Sequence, residues 1–167
     1  MKLKRLEMLS KYMTLEEATR SRTASRNGID NQPTKFHYEN MKFVAVNIFD
    51  KVREFVGSPV TCSSFYRSKQ LNSLVGGSST SFHTLGAAID LRLLGGSKTY
   101  AEVFEYIRVN LKFSELIWEY GNDEEPDWVH VAYASGDERA MVRKVQKVSG
   151  EDVWFRYDWD TCEWIKR

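Results

Sequence analysis

Two strand-forming segments follow one another with no helical pattern between them, and this succession constrains the fold more than any other feature of the sequence. Residues 115–120 and 128–133 are both rich in apolar and aromatic side chains, and the acidic loop 121–127 joins them. So short a connection pairs strands antiparallel, whereas parallel neighbours need a longer crossover. At 167 residues, the chain fits one domain of ordinary size. We therefore predict a single α+β domain with a mostly antiparallel sheet flanked by helices.

The first half of the chain carries two strong helical signals. Thr14 followed three residues later by Glu17 has the form of a capping box, and it predicts a short helix that ends near Asn27–Gly28. After Pro33, apolar residues recur at helical spacing and predict a core-facing helix of roughly five or six turns. These residues are Met41, Val44, Ala45, Ile48, Val52 and Phe55. Residues 68–75 predict a brief helix closed by glycines.

Further strands and one more helix are predicted along the rest of the chain. Residues 60–65 and 87–94 are strand-forming runs bounded by glycine and proline breakers. Thr99 and Glu102 repeat the capping-box form, and an apolar stripe at helical spacing follows them. Its members are Tyr100, Val103, Phe104, Ile107 and Leu111. The C-terminal extension, residues 141–167, is aromatic and strand-like.

Charge and cysteine usage exclude several classes of protein. The 24 Lys and Arg residues nearly balance the 23 Asp and Glu residues, so the sequence offers no basic stripe for nucleic acid. No apolar run is long enough for a membrane span. The positively charged N-terminal residues 1–7 lack the apolar run of a signal peptide, which predicts synthesis in the cytoplasm. Cys62 and Cys162 are far apart in the sequence, and we expect two thiols rather than a disulfide.

Three histidines and one carboxylate are candidates for chemistry. His37 lies at the start of the long helix without an acidic partner at ligand spacing, which predicts a surface or helix-end residue. Asp90 is set inside an apolar strand, where a carboxylate is costly unless it pairs with a cation such as Arg92 or binds a metal. His130 alternates with Val129 along its strand, and by itself such a histidine is more often a hydrogen-bonded core residue than a ligand. His83 follows a polar loop.

Two imidazoles and one carboxylate fill three positions of a tetrahedral zinc site and leave the fourth for water, as a catalytic site requires. The ligands would come from separate strands, because the chain has no His-Glu-x-x-His helix. Residue types and spacing alone do not decide between a zinc site and the structural roles described above for Asp90 and His130.

The order of several short motifs resembles a known family. The run Ser81-x-His83-x-x-Gly86-x-Ala88-x-Asp90, followed by Asp127-x-x-His130, is similar to the signature of the D-Ala-D-Ala carboxypeptidase family of zinc peptidases. That family includes D-Ala-D-Ala dipeptidases and the L-alanyl-D-glutamate endopeptidases of phage lysis enzymes.

Two more segments extend the resemblance over residues 9–133. Residues 63–68 are similar to the family segment that carries an active-site arginine, and residues 9–17 resemble the opening of a phage- and prophage-associated branch. The resemblance implies a fold shared with the hedgehog signalling domain.

The resemblance also implies roles for individual residues. His83, Asp90 and His130 would be the ligands of a zinc ion, and Arg67 would stabilise the charge that develops on the scissile carbonyl oxygen. Ser81 would bind substrate or orient the ligand loop.

Asp127 would be the general base, at a position where many relatives have glutamate. Aspartate is one methylene shorter, and three residues along a strand would point it away from His130. Pro126 indicates that Asp127 lies in the turn instead. The alternatives for the base are Asp123, Glu124, Glu125 and Glu119.

The function implied is hydrolysis of a peptidoglycan peptide by a zinc peptidase. Endopeptidase cleavage is expected over D,D-carboxypeptidase trimming, because the sequence offers only Arg67, with Arg92 more distant, to hold a terminal carboxylate. A non-catalytic zinc-binding domain and a virion component are the alternatives. We expect the protein to act on the cell wall after release or as part of a virion.

Overall fold

One seven-stranded sheet organises the protein, whose structure is a computed structural model describing residues 7–166. The strands lie in the order β1-β2-β4-β3-β5-β6-β7. Every neighbouring pair is antiparallel except β3 and β5, which are parallel. Their bounds are β1 Val60–Ser64, β2 Ala88–Leu93, β3 Glu115–Glu119, β4 Trp128–Ala132, β5 Met141–Val148, β6 Glu151–Asp158 and β7 Glu163–Lys166. The predicted single α+β domain with a mostly antiparallel sheet is confirmed.

The helix predicted after Thr14 is two helices, α1 (Leu15–Thr19) and α2 (Arg22–Arg26), so the prediction of one continuous helix is wrong. Thr14 caps α1 as expected, by accepting a hydrogen bond from the Glu17 amide. Ser21 breaks the helix because its backbone is extended and its hydroxyl caps α2 instead, accepting from the Ala24 amide at 3.1 Å.

The long helix predicted after Pro33 is present, with a wider π-helical turn in its middle. Helix α3 (Lys35–Val44) continues through the turn Ala45–Phe49 into α4 (Asp50–Val56). The predicted stripe is buried in the core, apart from the partly buried Phe55. His37 lies at the start of α3, where its Nδ1 accepts from the Thr34 amide, as expected of a helix-end histidine.

Two shorter predictions are also confirmed. Ser68 caps the brief helix α5 (Lys69–Leu74), and Thr99 and Glu102 form a capping box on α6 (Tyr100–Asn110). Helices α3, α4 and α6 cover one face of the sheet, where alternate strand residues enter the core: Ile89, Leu91, Leu116, Trp118, Val129 and Val131. The opposite face carries the remaining strand residues, Asp90 and His130 among them.

The C-terminal extension forms three strands, β5 to β7, which prolong the sheet beyond β3. Cys62 and Cys162 are free thiols, as predicted. None of the helices within residues 7–166 is long and apolar enough to span a bilayer. The prediction about a signal peptide concerns residues 1–7 and lies almost wholly outside the described residues.

Candidate metal centre and active-site cleft

Three side chains from separate elements meet on the open face of the sheet. Asp90 on β2 lies directly opposite His130 on β4 in the strand register, and His83 comes from the 3₁₀ turn Phe82–Leu85 just before β2. Asp90 Oδ1 is 2.8 Å from His130 Nδ1 and 3.3 Å from His83 Nε2, and the two imidazole nitrogens are 3.2 Å apart. The structure therefore brings together the three residues that the sequence proposed as ligands.

The orientation of His83 is fixed by the backbone. Its Nδ1 lies 2.6 Å from the carbonyl oxygen of Phe65. Because a carbonyl can only accept, Nδ1 carries the proton and Nε2 keeps its lone pair for the site. Gly86 ends the turn in the left-handed conformation at φ +69°, and a β-carbon there would lie 2.7 Å from the His37 carbonyl oxygen. Only glycine fits this close approach without displacement.

The donor set fits zinc. Ligand atoms at about 2.0–2.1 Å from a tetrahedral ion stand about 3.3 Å apart, and the three measured separations run from 2.8 to 3.3 Å. Two neutral imidazoles with one carboxylate form the ligand type of catalytic zinc sites. His83, Asp90 and His130 form a group that could hold a metal ion.

Electrostatics within this cluster favour an ionised Asp90. Burial raises the pKa of Asp90, but His83 and His130 outweigh burial and hold the pKa of this carboxyl below its usual value. Burial lowers the pKa of His83, which keeps the imidazole neutral. A charged carboxylate beside a neutral imidazole is the state that binds a cation. The alternative pairing of Asp90 with Arg92 is not among the ion pairs of residues 7–166.

His130 has an acidic partner on its far side. Its Nε2 is 3.7 Å from Oε1 of Glu115, a carboxylate on β3 of which only 8% of the side chain is exposed. Arg143 on β5 forms an ion pair with the other oxygen of Glu115. A carboxylate behind a ligating histidine fixes its ring and raises its basicity. Sequence reasoning missed Glu115, because the sequence alone does not show that this acid is buried beside His130.

A cleft of about 760 Å³ runs over the metal-binding group. Ser81, Arg67 and Glu119 line it together with the three ligands. The backbone amide of Arg67 donates to the His83 carbonyl at 3.1 Å, which ties the arginine to the ligand turn. Burial lowers the pKa of Arg67, against the opposing effects of Asp90 and Glu119. Residues of β5 and β6 also line the cleft, namely Met141, Arg143, Asp152 and Trp154.

Glu119 and Asp127 differ in their relation to this cleft. Glu119 is the last residue of β3 and lies on the same face as Glu115 and Ile117, which also line the cleft. Burial raises the pKa of Glu119 to about 7, with His130 opposing and Asp90 adding to the rise. Asp127 precedes β4, is exposed and is not part of the cleft lining.

Two of the other three acidic alternatives have structural partners. Glu125 accepts from the amides of Tyr100 and Ala101 at the start of α6. Asp123 pairs with Lys144 at 2.8 Å. Glu124 is exposed in the loop.

An α+β domain that holds a buried His-Asp-His group in an open cleft, with an arginine and a carboxylate beside it, has the features of a metal-dependent hydrolase. Residues 11–132 match the model of a family described as Peptidase M15. The chain belongs to the peptidase M15 family of zinc-dependent enzymes. A search of curated proteins finds no match.

Proposed function

We propose that the protein hydrolyses a peptide bond in the stem peptides or cross-links of peptidoglycan. The observation that carries the proposal is the group formed by His83, Asp90 and His130, at zinc-ligand separations inside a cleft. Membership of the peptidase M15 family supports a peptide substrate.

The chain's own residues supply the remaining chemistry. His83, Asp90 and His130 would hold a zinc ion, which would supply Lewis acidity and lower the pKa of water toward about 7. Glu119 takes a proton from the attacking water and returns it to the leaving amine, a role that its raised pKa and its place in the cleft support. The cationic Arg67 stabilises negative charge on the carbonyl oxygen. Ser81, which also caps the turn that carries His83, orients that ligand and contacts the substrate.

Glu119 takes the place that the sequence motif gives to Asp127. Asp127 stays the prediction from the motif, although its exposed side chain does not line the cleft. The two assignments make opposite predictions for the activity of the Glu119→Gln and Asp127→Asn variants.

The bond cut is proposed to lie inside the stem or cross-bridge, next to a D-amino acid. The size of the cleft supports this choice, because its lining includes residues of the loop 76–82 and of the strands β3 to β6 in addition to the metal-binding group. Mass spectrometry of muropeptides before and after digestion tests it. New free amino termini inside the peptides are expected, and release of terminal D-alanine alone would contradict it.

A further inference from the structure

Four arginines surround a second cavity that adjoins the active-site cleft. Arg20, Arg22, Arg67 and Arg92 line this arginine pocket, which has a volume of about 550 Å³. Arg67 and Val75 line both the pocket and the cleft. The two cavities are therefore neighbours that share these two residues.

The lining of the arginine pocket contains four arginines and only one acidic residue, so positive charge is in excess there. Among residues 7–166, none of the four guanidinium groups forms an ion pair, and the only acidic residue in the lining is Glu17. The Glu17 carboxylate accepts a hydrogen bond from the Thr61 hydroxyl. The buried Nε of Arg67 has no hydrogen-bond partner in the described chain. Like charges gathered in this way attract an anion, and guanidinium groups match a carboxylate in a two-pronged geometry.

The local fold explains why these arginines meet. The break between α1 and α2 leaves Arg20 and Arg22 on either side of Ser21. The amide of Tyr66 donates to the Ala18 carbonyl at 3.0 Å, which holds this break against the segment that carries Arg67.

The position of Arg92 on β2 gives an approximate distance between the arginine pocket and the metal-binding group. Arg92 follows Asp90 by two residues on β2, so both side chains point to the same face of the sheet. Two residues of strand span about 7 Å. An extended substrate peptide covers the same distance with about two residues.

We propose that the arginine pocket binds a carboxylate of the substrate peptide within about two residues of the scissile bond. The proposal rests on the peptidase function above and deepens it, because it makes the substrate an acidic peptide. Two carboxylates could fill the pocket: that of an acidic side chain, or the free carboxyl terminus of the peptide.

Three matched peptides distinguish these sources: a stem peptide with free carboxylates, one amidated at the acidic side chain, and one amidated at the terminus. Binding is measured by calorimetry on the zinc-loaded chain carrying Glu119→Gln, and kcat and KM are measured on the unchanged protein. We expect one amidation to weaken binding about tenfold and to raise KM rather than lower kcat. Weaker binding after side-chain amidation identifies the acidic side chain as the group that the arginine pocket binds. Loss on terminal amidation identifies the terminus and makes the enzyme a carboxypeptidase.

The double variant Arg20→Gln/Arg92→Gln should bind all three peptides with equal, weakened affinity. Arg26→Gln is the matched control, since Arg26 is an exposed arginine of α2 outside the pocket lining. Equal binding of the three peptides by the protein with all its arginines would overturn the proposal, as would a preference that survives in the double variant. If no peptide is hydrolysed, the proposed function fails, while the calorimetry still decides the pocket.

Discussion

The backbone amide of Asp127 donates a hydrogen bond to the carbonyl oxygen of Glu119 at 2.9 Å, yet only the Glu119 side chain lines the cleft. The last residue of β3 and the residue before β4 are thus held together while their carboxylates lie in different environments. A general base must reach the water that it deprotonates. Variants of these two residues therefore distinguish Asp127, the general base that the motif indicates, from Glu119, the general base that the geometry supports.

We expect Glu119→Gln to lower kcat by about 10²- to 10⁴-fold, because it removes the group that accepts the proton. Asp127→Asn should leave kcat within about threefold of the unchanged value, since an exposed side chain outside the cleft makes no contact with the reacting atoms. Steady-state kinetics measures both, and zinc content measured on each variant shows that the metal stays bound. The reverse pattern would establish Asp127 as the base.

Glu115 should control zinc affinity through His130. We expect Glu115→Gln to weaken zinc binding about 10- to 100-fold, because a neutral amide no longer supports the imidazole that ligates the metal. Competition with a chelator measures the affinity. Glu105→Gln is the matched control, since Glu105 pairs with Arg108 on α6, away from the cleft. Equal affinity in the Glu115 variant and in the control would contradict the role given to Glu115.

The zinc-free protein should lose stability as pH rises, because of Glu119. The pKa of this carboxyl rises from 4.5 to about 7 on folding, so the folded state binds the proton more tightly than the unfolded chain. The resulting stabilisation is fully present below about pH 4.5 and is lost as pH rises through about 7. At about 1.4 kcal/mol for each pKa unit, it amounts to about 3 kcal/mol.

Denaturant unfolding of the zinc-free protein at two pH values tests this linkage. Glu119→Gln should stabilise the protein by up to about 3 kcal/mol at pH 8, where the unchanged side chain is buried and charged. The gain should fall to below about 1 kcal/mol at pH 5 and should be nearly absent at about pH 4. Equal gains at the two pH values would show that the effect comes from packing rather than from proton binding.

Gly86 should be required for the ligand turn. We expect Gly86→Ala to destabilise the protein by about 3 kcal/mol or more, because a left-handed conformation costs about 1–2 kcal/mol and the new methyl group meets the His37 carbonyl. Gly28→Ala is the control: Gly28 has φ +61° with nothing near its missing β-carbon, so it reports the conformational cost alone. Thermal unfolding measures both, and equal losses would contradict a steric role for Gly86.

The sequence predicted most of the fold, because hydrophobic periodicity and caps act locally. The stripe from Met41 to Val52 and the capping box at Thr99 describe their helices correctly. The sequence did not predict the break at Ser21, because a helical pattern continues on both sides of this residue. The capping hydrogen bond of the Ser21 side chain competes with that helical pattern. The parallel pairing of β3 with β5 was also beyond the sequence, since strand order depends on contacts distant in the chain.

The candidate site divides in the same way. The three proposed ligands belong to a motif whose residue types and spacing are visible in the sequence. The structure brings their side chains together. Glu115, the Phe65 carbonyl and the arginine pocket depend on which face of a strand or turn meets another. These contacts form only when the sheet is assembled. The position of a backbone carbonyl cannot be read from the residue types of a sequence.

We propose that catalysis depends on one zinc ion held by His83, Asp90 and His130. The most direct test is to remove metal with a chelator and then titrate zinc into the protein while hydrolysis of purified peptidoglycan is followed. Activity should be lost without metal and should rise linearly to a plateau at about one zinc per chain. The His83→Ala protein should show no such rise. Full hydrolysis by protein that holds no stoichiometric divalent metal would contradict the claim.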